Sequence, residues 1–175
     1  FRNPKKFNFE VVTMTCFLKK LSALSLILLL VLSCLPCSAN AIGTIDQNRA
    51  VSLNVSCKHE GFPVKDMQFE LYYVAEVIGY NQYRLAGDFT DYPVKLNDLD
   101  ASDWRALTKT LVYYTQADGI TPIDKNITDA TGVVMFPSEA KTLSPGLYLV
   151  KAKPCVVGQD IYYAESFMIC LPGTD

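Results

Sequence analysis

The chain has 175 residues, half of them hydrophobic, with 16 basic and 18 acidic residues, one histidine and a formal net charge of −2. A nucleic-acid face needs clustered Lys and Arg opposite the phosphates, and the sequence has no such cluster, so nucleic acid is excluded as a partner. His59 is the sole imidazole, which leaves little to activate a nucleophile; with no P-loop, GxGxxG or zinc-ligand spacing either, the expectation is a non-enzyme without cofactor or metal.

In chain order, residues 1–13 precede Met14 and read as an upstream segment foreign to the protein proper. Lys19 and Lys20 then stand before an uncharged apolar stretch from Leu21 to Leu35, which is followed by Ser38-Ala39-Asn40-Ala41. A positive end, an apolar stretch and a small-x-small site form the pattern of a secretory signal peptide, placed over 14–41 with cleavage between Ala41 and Ile42. The stretch is shorter than the roughly 20 apolar residues of a membrane span, which weighs against an uncleaved anchor, and Val31-Leu32-Ser33-Cys34 fits a lipoprotein signal poorly.

Cleavage leaves residues 42–175 as one domain, long enough to bury its own core. Five of the basic residues and one acid precede Ile42, so the exported part keeps 11 basic and 17 acidic residues, a net charge of −6. Cys16, Cys34 and Cys37 leave with the leader. Cys57, Cys155 and Cys170 remain, none at CxxC spacing. One disulfide with a thiol left over satisfies that count, and so do three buried thiols packing as small hydrophobes.

Val51, Leu53, Val55 and Cys57 alternate with polar residues, which predicts a half-buried strand. A Gly-Pro turn through Lys58–Pro63 leads to a second strand with Met67, Phe69, Leu71 and Tyr73 on one face. Tyr72 and Val74 occupy its other face, so both faces are expected to be covered. Gly79–Asn81 is a turn and Tyr83–Leu85 a short extended piece. Asp100 can cap a helix whose first turn holds Asp103. Trp104, Leu107, Leu111 and Tyr114/Thr115 recur at helical spacing, so an amphipathic helix is predicted over about 101–117, ended by Gly119 and Pro122. Strands are expected again at Val133–Phe136, Leu147–Lys153 and Ile161–Leu171, with turns at Asp129–Gly132 and Ser144–Gly146 and a joint around Gly158. Many short strands with turn signals between them predict a mainly β domain, an Ig-like or prealbumin-like β-sandwich with one inserted amphipathic helix.

Four segments carry a family resemblance. Gly61-Phe62-Pro63-Val64-Lys65-Asp66-Met67-Gln68-Phe69-Glu70-Leu71-Tyr72-Tyr73-Val74-Ala75 resembles the opening of Cna B-type and Gram-positive pilin domains. Asp129-Ala130-Thr131-Gly132-Val133-Val134-Met135-Phe136 and Leu143-Ser144-Pro145-Gly146-Leu147-Tyr148-Leu149-Val150 are similar to their later turn and strand motifs. Ser166-Phe167-Met168-Ile169-Cys170-Leu171-Pro172 is similar to the strand found in N-terminal pilin domains, whose inserted helix the Trp104 segment also fits. The glycines serve the turns, and Phe69, Leu71, Phe136 and Tyr148 fall on faces that a sandwich must bury.

The resemblance implies a secreted structural protein at the cell surface, associated with the cell wall: a pilus subunit or wall-anchored adhesin stalk. Its implied partners are other pilus or surface subunits, and sortase through a region beyond Asp175. Leu171-Pro172-Gly173-Thr174-Asp175 is similar to a sortase signal, though the end of a strand accounts for it better. A second reading is a surface module that binds a glycan or host protein through aromatics such as Tyr72, Tyr80, Tyr83 and Tyr92, residues that packing also explains. Many relatives carry a self-formed isopeptide bond between a strand Lys and an Asn or Asp beside a buried acid. Here the only candidate lysine, Lys58, points away from the apolar face by parity, the acid's place falls on Ala152, and Phe167–Leu171 offers no Asn or Asp. No isopeptide bond is expected. The resemblance also places the first and last strands near each other, which makes Cys57 and Cys170 the candidate disulfide pair.

Overall fold

The computed structural model describes residues 46–173. The expected leader over 14–41, its cleavage point at Ala41–Ile42 and the segment 1–13 lie outside the described residues.

The described chain runs β1 (Leu53–Ser56), β2 (Lys58–His59), β3 (Phe62–Pro63), β4 (Gln68–Gly79), β5 (Gln82–Leu85), a 3-10 turn (Gly87–Phe89), α1 (Ala101–Ala117), β6 (Asp124–Ile127), β7 (Val133–Phe136), β8 (Gly146–Ala152), β9 (Cys155–Val157), β10 (Asp160–Tyr162) and β11 (Phe167–Leu171). It is mainly β with one α-helix. β4 anchors a five-stranded antiparallel sheet. One of its edges pairs with β8, which in turn pairs with β11; the other is shared by β6 along Gln68–Leu71 and β5 along Ala75–Gly79. β1 pairs with β7 in a separate two-stranded sheet.

Side-chain parity decides what the large sheet buries on each face. Met67, Phe69, Leu71, Tyr148, Val150 and Leu171 meet Leu53, Val134 and Phe136 of the β1–β7 pair in one core, with Val51, Val55, Cys57 and Tyr73 packed at its margin. Tyr72, Val74, Leu147 and Leu149 enter a second core with Leu107 and Leu111 of α1 and with Phe89 and Leu96 from the preceding segment. β4 is therefore covered on both faces, as its sequence predicts. Register shifts between Tyr73 and Ala75, and such an irregularity changes which residue faces which side; Val74 and Ala75 accordingly share the second core.

α1 begins and ends where its sequence indicates. The Asp100 carboxylate accepts hydrogen bonds from the Ser102 and Asp103 amides at 2.7 and 2.9 Å, and Asp103 accepts from the Asp100 amide at 3.2 Å. This reciprocal capping box satisfies amides that the first turn would otherwise leave without partners. No helix among the described residues is long and apolar enough to cross a membrane.

Two expectations need correction. Ile161–Leu171 is not one strand. Gly158, at φ +66°, turns the chain so that β10 folds back on β9 as a hairpin with Val156 opposite Ile161, and β11 starts afresh at Phe167 against β8. β6 has no counterpart in the sequence reading because Asp-Lys-Asn-Ile lacks apolar alternation; it forms because the first half of β4 has a free edge there.

Two glycines are required by close approach. At Gly132, φ is +75° and a Cβ would lie 2.4 Å from the Cys57 carbonyl oxygen; at Gly146 it would lie 2.3 Å from Cε2 of Tyr73. Gly132 lets the turn before β7 dock on the end of β1, where its carbonyl accepts from the Cys57 amide at 2.7 Å.

Candidate functional site

α1 lies over one face of the large sheet, and a cleft of about 1060 Å³ opens between the helix and β11. Its helical wall is Trp104, Arg105, Thr108, Lys109 and Val112, successive positions on one side of α1. The opposite wall is Glu165, Ser166, Phe167, Met168 and Cys170, and Leu147, Leu96, Tyr83 and Asp98 also line it. Tyr83 meets Trp104 edge-on, ring centroids 5.9 Å apart. Burial and then the proximity of Cys170 push the Tyr83 phenol up, and burial pushes the Cys170 thiol up, so both groups stay neutral near pH 7. The charges of the cleft are Arg105, Lys109, Asp98 and Glu165; among the described residues none of them forms an ion pair.

A second polar feature lies where β4, β8 and the end of α1 meet. Glu70, 6% exposed, stands opposite Lys151 across the β4–β8 pairing. Lys151 Nζ lies 3.3 Å from Glu70 Oε2, and Lys153 Nζ 2.5 Å from Oε1. The Tyr72 hydroxyl donates to Oε2 at 3.0 Å, and Lys151 also donates to Thr115 Oγ1 at 3.4 Å. Burial alone would push the Glu70 carboxyl up. The hydrogen bonds from Lys153 and Tyr72 and the charges of Lys151 and Lys153 outweigh it, so the group sits below the ordinary glutamate range. Burial, with the Glu70 hydrogen bond and charge, pushes the Tyr72 phenol up to about 12. This carboxylate is ionised and held by three donors, an arrangement suited to fixing structure and a poor one for accepting a further proton.

The aromatic candidates scatter. Tyr72 is buried in the ion network, Tyr92 stacks on Tyr114 with centroids 4.4 Å apart and donates to Asp118, and Tyr80 is exposed in the β4–β5 turn. Only Tyr83 reaches the cleft wall. Lys58 is exposed on β2, opposite Pro63, as its parity predicts. Ala152 pairs with Phe69 and packs at the margin of the first core. His59, exposed, meets Tyr162 edge-on at 5.4 Å.

Of the two cysteine states the sequence leaves open, the structure has the free thiols: Cys57, Cys155 and Cys170 are unbridged, and the candidate pair Cys57 and Cys170 is not joined. Cys57 lies in the first core with its sulfur 3.6 Å from that of Met67, whereas Cys170 enters the second core on the opposite face of the sheet. Odd and even residues of β11 face opposite ways, and Cys170 has the parity of Met168. Burial and then the neighbouring Cys155 push the Cys57 thiol up.

Sequence reasoning missed Glu70 and the cleft. The signal for Glu70 was present, because it shares parity with Tyr72 and Val74 and so had to enter the helix-covered face. The cleft had no local signal, since its walls come from segments about 60 residues apart. No family model, no curated protein and no solved structure matches this chain.

Proposed function

We propose that this chain is an exported, non-catalytic β-sandwich module of a bacterial surface fibre, a pilus subunit or wall-anchored stalk similar to the N-terminal domains of Gram-positive pilins and of prealbumin-like architecture. The observation that carries the reading is the use made of the motif glycines. Gly132 and Gly146, each central to a segment quoted for the resemblance, both occupy places where a side chain would collide with a neighbouring strand. Gly132 lets the turn before β7 dock on β1, and Gly146 lets the start of β8 lie against Tyr73 of β4, so both motifs serve close packing between strands, and this supports the resemblance. The ionised, fully paired state of Glu70 fits a module that bears load rather than one that turns over substrate.

The leader over 14–41 supplies the export step of this proposal, and the cell wall its location. The test is cell-wall blotting of a Gram-positive host that produces the natural full-length protein. A ladder of high-mass species that disappears when sortase is deleted is the expected result. A single monomeric band in the culture medium, unchanged by sortase deletion, overturns the reading.

A further inference from the structure

β11 pairs with β8 and with no other strand among the described residues. An edge strand presents a row of backbone N–H and C=O groups to whatever lies beside it. Here that neighbour is the cleft. Phe167 packs toward the first core and Met168 and Cys170 toward the second, yet all three line the cleft together with Ser166. Residues facing opposite sides of a sheet border one cavity only if that cavity reaches the edge of their strand. The cleft thus offers the open β11 edge on one side and α1 on the other, with Leu147, Leu96 and Val112 as apolar lining between them.

We propose that this edge and cleft form a docking site for an extended peptide strand of another polypeptide, one with alternate apolar side chains and carboxylates among the others. Backbone hydrogen bonds to an open edge supply affinity, and pockets for alternate side chains supply selectivity. Arg105 and Lys109 stand one helical turn apart on the α1 wall, exposed and outside any ion pair among the described residues, and so attract carboxylates to that side. Asp98 and Glu165 line the loop wall and the approach to β11, so the preference for acid is confined to the helix side. A glycan is the weaker candidate. Sugar rings need open aromatic faces; Tyr83 and Trp104, both half-buried, meet each other edge-on instead, and the exposed Tyr113 on α1 is a single ring set against the whole backbone row of the β11 edge. The volume, about 1060 Å³, is at the upper end for sites that enclose small ligands and suits a chain segment. The inference does not depend on the fibre reading, because an open edge beside a cleft serves a stalk and a free-standing binder alike.

The probe is a fluorescent seven-residue peptide of alternating valine and glutamate, followed by anisotropy on residues 42–175. In a β-strand, alternate residues direct both N–H and C=O to the same neighbour. Two N-methylated versions, methylated at all valines or at all glutamates, therefore separate strand pairing from nonspecific contact. Binding is expected to survive in one version and to fall at least about tenfold in the other, through loss of several backbone hydrogen bonds. The double substitution Arg105→Glu with Lys109→Glu, on the exposed side of α1, should weaken the parent peptide by a similar factor while leaving the circular dichroism spectrum unchanged. Failure of the parent peptide to bind overturns the proposal. So does equal behaviour of the two methylated versions, or displacement of the peptide by N-acetylglucosamine oligomers from a site unaffected by methylation. None of these failures alters the cell-wall ladder that tests the fibre reading.

Discussion

Glu70 and Lys151 face each other across the central strand pair, 3.3 Å from carboxylate oxygen to ammonium, each side chain about nine-tenths buried. Removing one partner of a buried pair leaves an uncompensated charge. Glu70→Gln strands Lys151 under the end of α1 and should cost about 3–5 kcal/mol in denaturant unfolding. Lys151→Met should cost less, because Lys153 remains on Glu70. The pH dependence follows from the lowered carboxyl. Its contribution is present above the ordinary value of 4.5 and is lost as pH falls through the lower folded value. The stability gap between wild type and Glu70→Gln should therefore shrink on acidification below pH 4.5. A gap that is constant down to pH 2 would contradict the ion network.

Tyr72 gives the opposite, alkaline signature. Its phenol is raised from 10 to about 12, so the stability it contributes is complete below pH 10 and lost as pH rises through about 12. Denaturant midpoints of the wild type should fall over that window more steeply than those of Tyr72→Phe, which has no phenolic proton to lose. Equal slopes for the two proteins would rule out Tyr72 as a source of the alkaline loss.

Thr128 ties the start of β4 to the end of β6 from inside the core. Its hydroxyl accepts from the Met67 amide at 2.9 Å and donates to the Val64 carbonyl at 2.7 Å, at 1% exposure. Thr128→Val keeps the shape but leaves two buried backbone groups without partners, which should cost about 2–3 kcal/mol. Thr128→Ser should retain both bonds and lose under about 1 kcal/mol. Equal losses in the two variants would point to packing rather than hydrogen bonding.

Gly132→Ala combines a positive φ with a Cβ forced 2.4 Å from the Cys57 carbonyl oxygen, and should destabilise by about 2–4 kcal/mol. Gly119→Ala, at φ +65° with nothing within 4 Å of its Cβ, isolates the backbone term and should cost about 1–2 kcal/mol. A Gly132→Ala protein no less stable than Gly119→Ala would mean that the turn before β7 is not held against the end of β1 as described.

Mass and thiol counts test the covalent state. Residues 42–175 should have an intact mass equal to that of the sequence, with no loss of ammonia or water, since Lys58 is exposed and Lys151 is engaged with Glu70 and Thr115. Titration of the denatured, unreduced fragment should count three thiols, Cys57, Cys155 and Cys170. A loss of ammonia or water would reveal an isopeptide crosslink, and a count of one thiol a disulfide.

What the sequence determined by itself was local. Period-two alternation set the strand beginning near Val51 and the two-faced strand through Phe69 and Tyr72, and helical spacing with the Asp100–Asp103 cap set the place and length of α1, because these signals are written within one element. Strand partners were not legible. Asp124–Ile127 becomes a strand only because β4 leaves an edge free, and the Ile161–Leu171 pattern divides because Gly158 sends its first part back onto Cys155–Val157. Whether Cys57 and Cys170 could meet was not legible for the same reason: which face of which sheet a residue enters depends on the register of a distant strand. Glu70 lay between, its direction given by parity and its lysine partners supplied by β8, some 80 residues on. The cleft beside β11 was decided by tertiary structure alone, since an unpaired edge is defined by what the other described strands do not reach.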